Sequence, residues 1–292
     1  MYTGIADLRH YRTSKGDSYS VPGFDFPRNN VNKAGYTLVF EDDFDSGELD
    51  RSKWFPFYLP QWSSRANTSA NFRFEESQLI LQITEDQAPW SPELNGGIKV
   101  SNLQTGVYSG PLGSEYGQHR FSKDCRVREE QAEERLFTPH YGYLELRASG
   151  LHTPHNLCAL WMIGFEDRPE RSAEICLFEM KGWNGGGAER STIGFGLHPF
   201  GDPSIEDEFF EREFPIDASR FHVYAVDWSP EGVRFYIDNE LVHHSKQSPD
   251  YPMQLMLNIY EIPQAANESG QAPAYPSEFR VDYIRFYEKD KR

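Results

Sequence analysis

The sequence predicts an all-β protein made of two stacked, largely antiparallel sheets. Short runs of β-branched and aromatic residues recur from residue 36 onward, separated by clusters of Gly, Pro, Asn and Asp. No stretch carries the apolar stripe of an amphipathic helix of ordinary length. Without helices to serve as crossovers, strands pair by antiparallel return, and many such strands close into a sandwich or barrel, here a sandwich. The 292 residues, 38% of them hydrophobic, suffice for a substantial core, and all-β units of about 200 to 250 residues commonly form one domain.

Residues 1–35 are polar, rich in Gly, Pro, Asn and Ser, and without a sustained period, so they read as an arm outside the core. Strands are expected at 36–41 (YTLVFE), 78–83 (QLILQI), 142–148 (GYLELRA), 158–164 (CALWMIG) and 174–180 (EICLFEM). More follow at 191–197 (STIGFGL), 221–228 (FHVYAVDW), 233–238 (VRFYID), 253–259 (MQLMLNI) and 279–287 (FRVDYIRFY). The helix-prone segment 128–135 (REEQAEER) is polar all round and reads as a solvated turn of helix or loop. Residues 36–292 are expected to form the single main domain.

A formal charge of -16 repels phosphate backbones and anionic headgroups, which argues against nucleic acid and membrane as partners and favours neutral substrates. Aromatic residues reach 15%, more than the core requires, and flat rings make platforms for sugars. The three cysteines, Cys125, Cys158 and Cys176, form no dense framework, so disulfides are not expected to hold the fold. The residues after Met1 contain no apolar segment of signal type and no later run approaches about 18 apolar residues. As written the chain reads as soluble, and a removed signal would leave the same sequence. A monomer acting on a polysaccharide or oligosaccharide is expected.

Within residues 173–182 (AEICLFEMKG) an apolar run carries Glu174 and Glu179 with Cys176 between them. Regular alternation would put Glu174, Cys176 and Phe178 on one face and Glu179 on the other, burying one carboxylate in the core at a cost of several kcal/mol. A β-bulge removes the conflict by shifting the phase one residue, so that both acids face one cleft. Two carboxyls about 5 to 5.5 Å apart equip a retaining glycosidase, one as nucleophile and one as general acid, with their repulsion raising one pKa. The competing reading is a half-exposed strand edge with no chemistry.

Here the sequence resembles the family 16 glycoside hydrolases, whose signature E-x-D-x-x-E is matched by Glu174-Ile-Cys176-Leu-Phe-Glu179. Flanking blocks agree in order: VFEDDFDSGELDRSKW with the family's opening strand, YGYLELRASG and CALWMIG with the pair before the signature, and FHVYAVDWSPEGVRFYIDNELV, MQLMLNI and FRVDYIRFYE with its closing strands. The resemblance implies a concanavalin-like β-jelly-roll sandwich with a concave sheet crossing a glycan, Glu174 as nucleophile and Glu179 as general acid/base. The extra residue places the chain on the laminarinase side, which implies an endo-acting hydrolase of β-1,3-glucan. Agarose-type galactan, mixed-linkage glucan, transglycosylation and a non-catalytic glycan-binding sandwich stand as alternatives.

Two departures matter. Cys176 stands where the family has an aspartate that hydrogen-bonds the nucleophile, and a thiol is only a weak donor and acceptor. Leu157-Cys158 replaces a Trp-Pro pair, and alternation makes Cys158 a small buried hydrophobe opposite Trp161. Trp161 is then either a sugar platform or a core residue, and Trp183 either a cleft rim or a loop anchor. By resemblance His198 approaches Glu179 and Asn258 faces the cleft, against the plainer readings of a turn residue and a satisfied buried amide. Arg65 and Trp62 are placed on a loop reaching a subsite. No cofactor is required, but Asp43 and Asp282 resemble positions of a structural calcium, with an ion pair to Arg280 or Arg285 as the alternative.

Overall fold

The structure is a computed structural model that describes residues 11–12, 18–19, 24–184, 187 and 189–291. Much of the arm expected at 1–35 and part of the loop after Trp183 lie outside these residues. Short strands β1 (Tyr11–Arg12) and β2 (Ser18–Tyr19) pair with each other, and β3 (Tyr36–Asp42) opens the sandwich. There follow β4 (Phe72–Glu75), β5 (Gln78–Ile83), β6 (Lys99–Gln104), β7 (Gly106–Val107), β8 (Glu134–Arg135), β9 (Gly142–Ser149) and β10 (Asn156–Gly164). The second half adds β11 (Glu174–Lys181), β12 (Ser191–His198), β13 (Glu208–Phe214), β14 (His222–Ser229) and β15 (Gly232–Ile237). It closes with β16 (Glu240–Ser245), β17 (Met253–Glu261) and β18 (Ser277–Lys289).

These strands form a six-stranded sheet in the order β13-β12-β11-β10-β17-β6 and an eight-stranded sheet in the order β16-β15-β14-β9-β18-β5-β4, with β3 also on β18. Every pairing is antiparallel, as the lack of crossover helices requires. All of the strands expected from alternation are present. Of those not expected, β4, β6, β13 and β16 mix charge into their runs and lie at sheet edges. Residues 128–135 are loop and short strand rather than helix.

The faces follow the pleat. Along β10, Cys158, Leu160 and Met162 join the core between the sheets, while Ala159, Trp161 and Ile163 join a second apolar cluster on the outer face. Cys158 is therefore the small buried hydrophobe expected opposite Trp161. Loop residues Tyr58, Leu59, Trp62 and Trp90 cover part of that outer face, leaving the rest as a cleft.

Residues 24–35 lie on the far side, over the eight-stranded sheet. The Phe26 carbonyl accepts from Arg147 Nε and Nη2, Asn29 Nδ2 donates to Glu145 at 2.9 Å, and Lys33 sits 4.0 Å from the Tyr143 ring centroid. Asp282 is bound there by Arg147 at 2.8 Å and Arg28 at 3.3 Å. At the two positions named for calcium, two guanidiniums bind the Asp282 carboxylate, as in the ion-pair alternative but with other arginines, and the Asp43 side chain accepts the backbone N–H of Asp45. Arg280 and Arg285, the other expected partners, bind Glu278 and Glu41 instead. Among the described residues no group of three or more His, Cys, Asp or Glu is placed to hold a metal.

Candidate active site

The site grows from one irregularity in β11. Against β10, Trp161 pairs with Cys176 and Leu160 with Phe178, so Leu177 has no partner. Against β12, Cys176 lies opposite Gly196 and Glu179 opposite Gly194, so three steps on β11 match two on β12. Consecutive Leu177 and Phe178 both enter the core between the sheets. The surplus residue resets the phase, and Glu174, Cys176 and Glu179 all line one cleft of about 570 Å³. Gly196 makes this possible on the neighbouring strand: its φ is +140°, and a Cβ there would fall 2.2 Å from the Glu208 carbonyl oxygen.

The two acids differ in surroundings. Glu174 is 8% exposed and makes no hydrogen bond among the described residues; the His119 imidazole stands beside it, with Nδ1 3.4 Å from Oε1. Burial, then the negative charges of Glu179 and Glu166, hold its carboxyl well above the usual range. Glu179 instead contacts the Lys181 ammonium at 3.1 Å, which also binds Glu211 at 2.9 Å. Burial works against the charge of Lys181, but the two glutamates outweigh it and raise its pKa. Burial, then Glu179 and Glu174, push the Cys176 thiol up, so it faces the acids as a neutral group.

A third carboxyl stands behind the pair. Burial pushes Glu166 up to about 8 although its Oε1 accepts the His119 backbone N–H at 2.7 Å. His119 itself is pushed down to about 4 by burial and is neutral at neutral pH. Its ring lies between Trp161, at 5.3 Å, and Phe200, at 4.8 Å.

The expected site residues divide. Trp161 and His198 line the cleft with the acids, but Trp161 is only 7% exposed. His198 lies opposite Glu174 in the register rather than beside Glu179, and its Nδ1 is 2.7 Å from Asp207. Asn258 is fully buried beneath the cleft, its Nδ2 donating to Asn102 Oδ1 at 3.2 Å while its own Oδ1 has no partner among the described residues. Trp62 is also fully buried, its indole N–H donating to the Gln118 carbonyl. Arg65 is held by Gln131 and Glu129 against Phe55 and Phe57. Trp183 is half-buried in a 3₁₀ turn and does not line the cleft.

His119, Phe200, Tyr58 and Tyr260 line the cleft without having been expected to. Phe200, 49% exposed, presents the open ring that Trp161 does not. Its place directly after His198-Pro199 was the one available signal; His119 sits in a loop with no periodicity to read.

Comparison with known proteins follows the same lines. The model of the glycosyl hydrolases family 16 matches residues 134–285. The glucan endo-1,3-beta-glucosidase A1 of Niallia circulans is 26% identical over 280 residues, which take in 88% of this chain and 38% of that protein. A GlcNAcα1-4Gal releasing endo-β-galactosidase from Clostridium perfringens superposes with a TM-score of 0.77 at 32% identity, covering 91% of this chain and 65% of that one. A non-specific endo-β-1,3(4)-glucanase gives 0.63 at 20% identity over 91% of this chain and 96% of its own, a likeness of fold. The chain thus spans under two thirds of the length of the first two.

Proposed function

The chain belongs to the glycosyl hydrolases family 16, and from that premise we propose that it is a retaining endo-glycosidase acting on a β-linked glycan. The observation that carries this reading is the bulge at Leu177, which brings Glu174 and Glu179 to one face of β11. Two carboxyls on one cleft, one beside a cation and one without, fit the double-displacement reaction. Glu174 attacks the anomeric carbon while Glu179 gives its proton to the departing oxygen. Glu179 then takes a proton from water, which releases the sugar from Glu174 with its configuration retained.

For the substrate, an internal β-galactoside comes first, because the neighbour at 32% identity acts as an endo-β-galactosidase and matches nearly the whole of this chain. A β-1,3-glucan is the second reading, supported by the relative at 26% identity over 88% of the chain. The exposed Phe200 ring suits either, since both sugars present a C–H face for stacking. The test is ¹H NMR of digests of β-galactan, GlcNAcα1-4Gal-capped glycan, laminarin and lichenan. The β-anomer is expected to appear first, from one of the first two substrates. An α-anomer appearing first would overturn the mechanism, and a protein that binds but cuts none of them would be a glycan-binding module.

A further inference from the structure

The Glu174 nucleophile must be ionised to attack, yet it lies buried among carboxyls, and the residue between it and Glu179 is a neutral thiol. The loop between β7 and β8 brings a different group to it. We propose that His119 is the positioning partner of Glu174, accepting its proton on Nδ1 as the glycan is attacked and so filling the place that Cys176 leaves vacant.

Three observations carry this. His119 Nδ1 is buried, has no hydrogen-bond partner among the described residues, and lies 3.4 Å from Glu174 Oε1. Its backbone has φ of 52°, a left-handed conformation uncommon outside glycine, and the Glu166 carboxyl clamps its N–H. Glu166 and Phe200 share that conformation, with φ of 58° and 45°, so the three segments meeting around the imidazole are all held in unusual turns. The loop is fixed from beneath as well: Gln118 Nε2 donates to the Phe165 carbonyl and to Gln254 Oε1.

Charge balances through the cycle. In the resting site Glu174 holds its proton and the ring is protonated on Nε2 alone. As the substrate enters, the Glu174 O–H bond breaks and the His119 Nδ1–H bond forms, giving a carboxylate and an imidazolium with no net change. Attack joins the Glu174 oxygen to the anomeric carbon, the bond to the leaving oxygen breaks, and that oxygen takes the Glu179 proton. The imidazolium then faces the new Glu179 carboxylate. Hydrolysis returns a proton from water to Glu179 and frees the Glu174 carboxylate, which recovers its proton from His119.

The titratable groups that line the cleft with His119 are Glu174, Cys176 and Glu179 from β11 with His198, Tyr58 and Tyr260, and the Glu166 carboxyl from the loop after β10 holds its backbone N–H. In the adjoining pocket that His119 also lines, Arg120 and Arg126 are both bound by Glu115, and Asp167, Tyr108 and Tyr116 are the other titratable groups beside Glu166. The surroundings are thus predominantly acidic, which favours an imidazolium once Glu174 is charged.

The inference rests on the glycosidase reading, so it is tested with one measurement that needs activity and one that does not. In the first, His119→Gln is expected to lower kcat on the order of 100-fold with KM within about 3-fold, and to move the acidic limb of the kcat/KM profile up by at least about one pH unit. Adding Cys176→Asp to His119→Gln should recover part of the loss. In the second, the ¹³C-carboxyl titration of Glu174, assigned by comparison with Glu174→Gln, should move upward in His119→Gln at unchanged thermal midpoint. A titration and acidic limb that stay in place would overturn the proposal even if activity falls. If the wild type cuts no glycan but the carboxyl still shifts, the glycosidase reading fails while the Glu174–His119 coupling stands.

Discussion

Two groups of buried charge sit on opposite sides of this sandwich, and they are built on opposite plans. On the outer face of the eight-stranded sheet each buried charge has a partner. Glu145 accepts from Tyr283 and Asn29, Arg147 binds Asp282 and the Phe26 carbonyl, and Arg285 binds Glu41 and the Asn29 carbonyl. On the cleft side of the six-stranded sheet Glu174 has one imidazole at 3.4 Å, and Glu166, in the adjoining pocket, has one backbone N–H. Satisfied charge ties an arm to a sheet; unsatisfied charge raises stored cost at a place where a ligand enters. The contrast supports the proposed placement of the active site without reference to any motif.

The comparison breaks if the two groups respond alike to neutralisation. The largest expected effect is on chemistry: Glu174→Gln should lower kcat on the order of 10⁴-fold, about 5.5 kcal/mol, with no loss of thermal stability, read by initial rates and calorimetry. On the other face, Asp282→Ala should cost about 3 kcal/mol in denaturant unfolding, because it strands Arg147 and Arg28 together, while kcat of the folded protein stays within about 2-fold.

A smaller effect sharpens the contrast through pH. Glu166 titrates near 8 in the folded chain and near 4.5 when unfolded. Between those values the native state holds a proton that the unfolded state has released, so this group makes stability fall as pH rises from about 4.5 to about 8 and adds nothing below that window. Glu166→Gln keeps the acceptor for His119 and removes the slope. It should stabilise the protein by about 1 to 3 kcal/mol at pH 8 and leave it unchanged near pH 4, by urea unfolding at both values. The smallest effect concerns Trp183, which lies off the cleft: Trp183→Ala should change KM by less than about 2-fold.

The strands that carry the core were legible because alternation is a local property, and Leu160 and Met162 follow it into the core. The bulge was legible for a related reason: Glu174 and Glu179 cannot both avoid the core without one. Edge strands such as β13, with sequence EFFEREF, were not, since solvent tolerates charge on either face there. Trp62 misled because an aromatic ring looks the same in sequence whether it meets a ligand or a buried carbonyl. His119 left no local trace, as its place beside Glu174 depends on a loop pinned by Gln118 and Glu166 from distant strands. Cys176 was visible as a departure, but the imidazole 3.4 Å from Glu174 was not.

One measurement bears most directly on the surplus residue in β11. A 2-deoxy-2-fluoro β-glycoside of the sugar that the digests identify should trap a covalent intermediate, and peptide mass spectrometry should place the label on Glu174. A label on Glu179, or an inactivated protein with no label on either acid, would contradict the account.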